Sequence, residues 1–445
     1  MMVQCTGGRI LPPVNLICER LLRPRQIPDI SFHQQAVTVP ESLKLAPSGH
    51  SPISSLVFQR SSWTMKIPFY KPFVAPKSSD YVNAALNSGR LSGNGPYSHY
   101  CEESLESLIG CHKAFLSQSC TSALEMAALM LDLAPGDEVI MPSFTLAATA
   151  NAFALRGAVP VFVDIRPDTL NIDERLIESA ITKRTKAIVV VHYGGVACAM
   201  FEIMAIADKY GLVVIEDAAH ALGAGYEGRP LGSFGQLAAI SFHVTKNISC
   251  GEGGALIVND PVLKERIEVA RQYGTSREAF QRGIVPFYTW LTLGTKDMLG
   301  ELTAALLFAQ LECVHSVTAE RLKLWQRYFD GLKELAVGNH LALPGLTDGA
   351  SHNAHIFYVI CANAEARAKL QSSLAAVGIE ATTHYVPLHS SRAGQLYGRS
   401  AAPLTITESL ASRLLRLPLY VGLSEDDQGR VITQVHKAFQ CEHVG

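Results

Sequence analysis

The sequence predicts an α/β protein: a large, mostly parallel sheet followed by a smaller α/β unit. Three observations carry this. From about residue 78, short β-rich runs alternate with helical patterns. Each run ends in small or polar residues. Hydrophobic residues make up 48% of the 445 and charged residues 18%, enough apolar surface to cover a sheet on both faces.

The elements follow in order. "YCEESLESLIG" and "TSALEMAALMLDLA" place apolar residues at helical spacing. "DEVIMPS", "VPVFVDI", "KAIVVVHYGG" and "LVVIEDAA" read as strands. Between them "TLAATANAFALRG", "DERLIESAIT" and "MFEIMAIADKYG" read as helices, two of them closed by a Gly stop. "AAISFHV" and "GALIVND" add two strands, and "VLKERIEVARQYG" a helix. Residues 275–297 form an irregular loop carrying Arg277, Arg282 and Trp290. "ELTAALLFAQLECVHSVTAERLKLWQRYFDGLKEL" predicts a long helical region bridging to a second unit. That unit contains "NAHIFYVICA", the helix "EARAKLQSSLAAVG", "IEATTHYVPLH" and a last helix around "SEDDQGRVITQVHKAF". The expected organisation is an extension over 1–64, a large domain over 65–310, and a bridging helix with a small domain over 311–445. Residues 1–64 mix Pro, Arg and Gln without sustained periodicity and lack the apolar core of a secretory signal, so a disordered extension is expected there. Met65 then opens "MKIPFYKPFVAP", which reads as a natural start.

Composition narrows the function. Thirty-eight basic against forty acidic residues leave a formal charge of -2, which argues against a nucleic-acid partner. No run of about eighteen apolar residues occurs, so no membrane span is expected. The ten cysteines form no CxxC pair and no metal-ligand spacing, which points to reduced thiols in a cytoplasmic protein and to no bound metal.

In a parallel sheet, ligands gather at the carboxyl ends of the strands. Three such ends stand out. In "SQSCTSALEMAAL", Ser119, Thr121 and Ser122 sit where a strand gives way to a helix. Free N–H groups there, with the helix dipole behind them, suit a phosphate; an ordinary Ser/Thr cap gives the same pattern. In "VVIEDAAHALGA", Asp217 follows an apolar strand, and its carboxylate can pair with a protonated ring nitrogen or cap a helix. His220 lies one helical turn on. In "SFHVTKNISCGEGGAL", Ser241, Lys246 and Glu252 surround a turn between two strands. Burial lowers a lysine's pKa, and a neutral amine is what a Schiff base needs. Phosphate cradle, carboxylate and strand-end lysine together are the parts that hold pyridoxal 5'-phosphate and keep its ring an electron sink.

"EDAAHALGA", "SFHVTKNISCGEGGA" and "PGDEVIMPSFTLAATANAFALRGAVPVFVDI" resemble the DegT/DnrJ/EryC1/StrS family of sugar aminotransferases, from about Pro68 to the last helix. The resemblance implies the aspartate-aminotransferase type of fold (fold type I) and a homodimer with active sites at the interface. It implies Lys246 as the Schiff-base lysine, Asp217 as partner of the pyridine nitrogen and His220 near the phenolic oxygen. Ser241, Thr121 and Ser122 correspond to the phosphate-binding positions. Leu146 stands where the family has an aromatic residue stacked on the ring. Asp297, Gly300 and Glu301 depart from a segment that completes the neighbouring subunit's site.

Within the family, "VHYGGVACAM" and "HYVPLH" are similar to members that aminate C4 of a dTDP-linked 4-keto-6-deoxyhexose for cell-surface polysaccharide, with L-glutamate as amino donor. His384, Tyr385 and His389 are the candidate sugar-binding residues, and Arg or Lys side chains of the 275–297 loop or the partner subunit are candidates for the diphosphate. Two readings stay open beside this one: another keto-sugar nucleotide as substrate, or a catalytically idle, regulatory cofactor-binding protein. A sister sugar dehydratase would carry histidine in place of Lys246.

Overall fold

The computed structural model describes residues 67–440. The expected extension over 1–64 lies outside the described residues.

The chain enters through two helices, α1 (Ser78–Asn87) and α2 (Pro96–Ile109), and reaches the first strand, β1 (Lys113–Ser117). It then alternates as the sequence predicts: α3 (Cys120–Met130), β2 (Glu138–Pro142), α4 (Ala147–Ala154), β3 (Val159–Val163), α5 (Glu174–Ala180), β4 (Thr185–Val191), α6 (Met200–Tyr210) and β5 (Val213–Asp217). Gly211 ends α6 at φ 64°, a left-handed turn that glycine adopts without steric cost. Two short strands, β6 (Gly225–Tyr226) and β7 (Arg229–Pro230), precede the hairpin of β8 (Leu237–Ser241) and β9 (Gly254–Val258).

The main sheet has eight strands in the order β1-β9-β8-β5-β4-β2-β3-β13, where β13 is Arg399–Ser400. Strands β3, β2, β4, β5 and β8 pair in parallel, and β9 alone runs against its neighbours β8 and β1. Both faces are covered. Ile188 and Val190 of β4 enter one apolar cluster with Val214 and Ile240, whereas Ala187 and Val189 enter another with Ile215 and Leu237. A near-continuous Val/Ile strand is therefore buried on both sides, as parallel sheets between helices require.

After β9 come α7 (Lys264–Ala270), the short α8 (Arg277–Gln281), α9 (Glu301–Leu311) and α10 (Val314–Val337). The expected long helical region over 301–335 is built as two helices bent by 60°. No Gly or Pro marks the break. Glu312 lies at it, its carboxylate accepting from Lys77 Nζ, just before α1, and from Tyr81 Oη of α1. The rest supplies β10 (Leu341–Ala342), β11 (Ala350–Ser351), β12 (Phe357–Cys361), α11 (Ala364–Ala376), α12 (Arg392–Tyr397), α13 (Thr405–Arg413), β14 (Leu414–Leu417) and α14 (Glu425–Gln440). Strands β10-β12-β14 form a second, three-stranded sheet with its own core of Trp325, Tyr328, Phe357, Leu374, Leu415 and Val435. Among the described residues no single helix is long and apolar enough to cross a membrane.

Candidate active site

The carboxyl ends of β5 and β8, the start of α3 and the β12–β14 region surround one cavity of about 540 Å³. Lys246, Asp217, His220, Ser241, Thr121, Leu146, His384 and Tyr385 all line it.

Ser241 ends β8 opposite Gly254 of β9, and Gly254 in turn pairs with Ser117 of β1. A Cβ on Gly254 would lie 2.3 Å from the Ser119 carbonyl carbon and 2.4 Å from the Cys120 nitrogen. Glycine is required there so that the start of α3 can press against the sheet. At that start Ser119 and Ser122 form a reciprocal cap: Ser119 Oγ accepts from Ser122 N–H (3.1 Å), and Ser122 Oγ accepts from Ser119 N–H (3.0 Å). This leaves the amides of Cys120 and Thr121, which have no intrahelical acceptor, at the cavity end of the helix. Asp297 fixes the approach from β1, accepting from Ser117 Oγ (2.6 Å) and Gln118 N–H (3.0 Å).

Asp217 is buried at the last position of β5. It accepts from Thr149 Oγ1 (2.7 Å) and Ala219 N–H (3.2 Å), and neither partner is charged. Burial raises its pKa, against the pull of those bonds and of Lys246. Such a carboxylate is completed by a cation. Lys246 projects from the β8–β9 turn, where its N–H donates to the His243 carbonyl (2.8 Å). It keeps partial access to the cavity while protein surrounds its amine. Burial lowers its pKa to about 8, opposed by Cys120 and Asp217 and assisted by Arg416. Its neutral form is therefore reached much closer to neutral pH than an ordinary lysine's.

His220 accepts from Gly194 N–H through Nδ1 (3.2 Å), and burial drives its pKa well below the usual value. A neutral ring with Nδ1 accepting carries its proton on Nε2, a donor available to a ligand. It stacks on His355 at 4.3 Å and lies near-parallel to His384 at 6.1 Å. His384 is held by Tyr193 Oη at Nδ1 (3.1 Å), and burial lowers its pKa to about 2.

Two expected residues are not brought to the cavity. The hydroxyl of Ser122 is consumed in the cap with Ser119 and by Ser117 Oγ (2.9 Å). His389 bonds Ser143 Oγ (2.8 Å) and Glu408 (3.1 Å) away from the lining. Arg277 and Arg282 of the 275–297 loop do not line it either, and Arg282 is paired with Glu278 and Glu268. The segment 297–301 braces its own chain: besides Asp297, Glu301 accepts from the N–H groups of Gly95 (3.1 Å), Tyr97 (2.9 Å) and Ser98 (3.0 Å) at the start of α2. The sequence reading missed Thr149, His355, Thr382 and Arg416. Of these only Thr149 left a local signal, one helical turn from Thr145 and bonded to it (2.8 Å).

The chain belongs to the DegT/DnrJ/EryC1/StrS aminotransferase family, whose model matches residues 74–436. A relative in Bacillus subtilis (strain 168), the spore coat polysaccharide biosynthesis protein SpsC, is 34% identical in a 377-residue alignment that covers 83% of this chain and 96% of SpsC. Among solved structures, DesV from S. venezuelae is 34% identical with a TM-score of 0.77, covering 85% of this chain and 99% of DesV. PseC from Helicobacter pylori, an aminotransferase involved in the biosynthesis of pseudoaminic acid, is 28% identical with a TM-score of 0.77, covering 84% and 99%. The protein is a PLP-dependent aminotransferase of fold type I. The cavity fits that cofactor: it offers free helix-end amides, a buried carboxylate lacking a charged partner, and an amine of lowered pKa.

Proposed function

We propose that the protein is a sugar aminotransferase of polysaccharide-related biosynthesis. It moves an amino group from L-glutamate to C4 of a dTDP-linked 4-keto-6-deoxyhexose. The observation that carries this reading is the placement of Lys246, lowered to about 8, in one cavity with Asp217. The sugar class is supported by the relatives named for polysaccharide and pseudoaminic acid biosynthesis. The C4 position and the dTDP group rest on the motif resemblance at "VHYGGVACAM" and "HYVPLH".

In this reading Thr121, Ser241 and the amides at the start of α3 hold the cofactor phosphate, and Asp217 meets the ring nitrogen. His220 would offer its Nε2–H to the phenolic oxygen, and Leu146 would lie against the ring face. Pyridoxal phosphate supplies an electrophilic aldehyde and an electron sink. Lys246 would hold that aldehyde, and its amine, when free and neutral, would be the group placed to take up and hand on the proton of the donor's α-carbon and, in the opposite sense, of the sugar. The Asp217 carboxylate would face the ring nitrogen and favour its protonated form. The neutral faces of His384 and Tyr385 line the place for the sugar. A homodimer is supported by the exposed apolar residues Ile284, Phe287, Trp290, Leu291 and Leu293, an unusual concentration for a solvated loop.

The test incubates the holoenzyme with L-glutamate and a panel of keto-sugar nucleotides. A 4-amino-4,6-dideoxyhexose on dTDP, identified by mass and NMR, is the expected product. Amination of another sugar or nucleotide would replace the substrate assignment, and no conversion with any donor would favour the idle reading.

A further inference from the structure

His355 lines the cavity but has no part in the scheme above. It stands in a turn that the chain holds under strain. Ala354, fully buried, has φ 49°, a left-handed conformation that residues other than glycine rarely adopt. Three side chains hold this turn. Arg321 of α10 donates from Nε to the Ala354 carbonyl (3.0 Å) and from Nη2 to the His355 carbonyl (2.7 Å). Asn353 donates from Nδ2 to the carbonyls of His220 (2.7 Å) and Leu222 (2.9 Å), and its Oδ1 accepts from His355 N–H (3.1 Å). Asn247, the residue after Lys246, donates from Nδ2 to the Asn353 carbonyl (2.9 Å). Backbone strain that this many bonds keep in place fixes where a side chain stands.

The same bonds fix the state of the ring. Because Asn247 donates through Nδ2, its Oδ1, 3.0 Å from His355 Nδ1, can only accept. His355 therefore carries its proton on Nδ1 and presents a bare Nε2, which bonds nothing among the described residues. Burial, with the nearby charges of Lys246 and Arg321, holds its pKa well below the usual value and keeps the ring neutral. His220, stacked on it at 4.3 Å, has the opposite tautomer, because its Nδ1 accepts from Gly194 N–H. Two imidazoles side by side thus offer one donor and one acceptor. An acceptor fixed in a cavity wall is completed by a donor from a ligand.

Resting on the sugar aminotransferase reading, we propose that His355 is a specificity-determining residue whose Nε2 accepts the C3 hydroxyl of the 4-keto-6-deoxyhexose, with Asn247 and Arg321 as its positioning residues. The chemistry of the two substrates decides which one it reads. The carboxylates of an amino donor are acceptors, and its amine is spent on the cofactor. A hexose carries hydroxyl donors. In a 4-keto-6-deoxyhexose the hydroxyl next to the reacting carbonyl is on C3, since C5 bears the methyl carbon. That carbonyl must come up beside Lys246, whose charge acts on His355. The C3 hydroxyl is therefore the sugar donor that arrives closest to the bare Nε2.

The test compares His355→Phe and His355→Gln holoenzymes with wild type, the two half reactions being followed separately by cofactor absorbance. His355→Phe keeps a ring against His220 but has no acceptor. It should raise the concentration of dTDP-4-keto-6-deoxyhexose for half-saturation about 10-fold, the scale of one lost hydrogen bond. His355→Gln places an amide oxygen near the position of Nε2 and should recover most of that loss. Half-saturation by glutamate should change less than about 2-fold in both, within ordinary mutational noise. The 3-deoxy analogue of the sugar nucleotide closes a double cycle: wild type should bind it about 10-fold more weakly than the hydroxylated sugar, and His355→Phe should treat the two alike. Calorimetric titration of both sugars into the aldehyde form of the holoenzyme, without amino donor, should show the same ranking without turnover. Should His355→Phe fail to fold, His355→Asn decides by the same ratio, since its amide keeps the bond to Asn247 but withdraws the outer acceptor. An unchanged sugar response overturns the assignment. So does discrimination against the 3-deoxy sugar that survives in the variants, or a shift shared equally by both half reactions, which would give Nε2 to the Lys246 amine. Wild-type protein that converts no 4-keto sugar nucleotide would overturn the reading beneath it as well, and the wild-type control separates the two failures.

Discussion

The two sides of β5 treat a buried carboxylate in opposite ways. Glu216 and Asp217 are neighbours on one strand, pointing to opposite faces. On the core side, Glu216 is closed off: it accepts from His192 Nε2 (2.9 Å) and from the N–H groups of Gly232 (2.8 Å), Phe234 (2.7 Å) and Gly235 (2.8 Å). On the cavity side, Asp217 has one hydroxyl and one amide, both neutral. The arginines divide the same way. Arg321 is spent on backbone carbonyls, whereas Arg416 keeps an open Nε. Groups whose bonding closes within the chain hold the fold, and groups left open mark where ligands complete them.

The largest expected effect falls on the closed side. Glu216→Ala leaves His192 buried without its partner and should cost about 3–5 kcal/mol in chemical denaturation. His192 also accepts the Cys198 N–H at Nδ1 (3.2 Å), so its Nε2–H has Glu216 as its acceptor, and losing that acceptor strands the donor in the core. A variant as stable as wild type would break the contrast.

Next comes the open side. Asp217→Asn keeps the Thr149 contact but removes the charge meant for the ring nitrogen. It should weaken cofactor binding about 100-fold, on the scale of losing one partner of a buried charge pair. Because burial already disfavours the carboxylate, the melting point of the cofactor-free variant should match or exceed wild type. Unchanged cofactor affinity by equilibrium dialysis would sink the role given to Asp217. The smallest effect belongs to Leu146, exposed to 57% at the cavity. Leu146→Phe restores an aromatic face and should tighten cofactor binding by about 1 kcal/mol. Weaker binding would show that leucine is fitted to the site.

The same contrast explains what the sequence disclosed. Asp217 and Ser241 close apolar strands, Lys246 follows in the turn after β8 and Thr121 lies in the first turn of α3, so apolar runs and turn residues announce them. Alternation of strand and helix likewise made the parallel sheet readable before any coordinates. Arg416 on β14 and His355, just before β12, reach the cavity through contacts far apart in sequence that no local pattern encodes. Arg416 also sits inside "LLRLPL", where a strand arginine reads as an ordinary solvated side chain. Ser122 and His389 stay out of the cavity lining for the converse reason. Their residue types suit ligand binding, yet a capping box and the Ser143–Glu408 bonds consume them. The break between α9 and α10 has no helix-stopping residue to betray it.

The central claim is that the Lys246 amine takes up the cofactor aldehyde. Borohydride reduction of the holoenzyme followed by peptide mapping tests it most directly. The account predicts a phosphopyridoxyl group on Lys246 alone. Label on another lysine, or a bound cofactor that reduction leaves unattached to the chain, would contradict it.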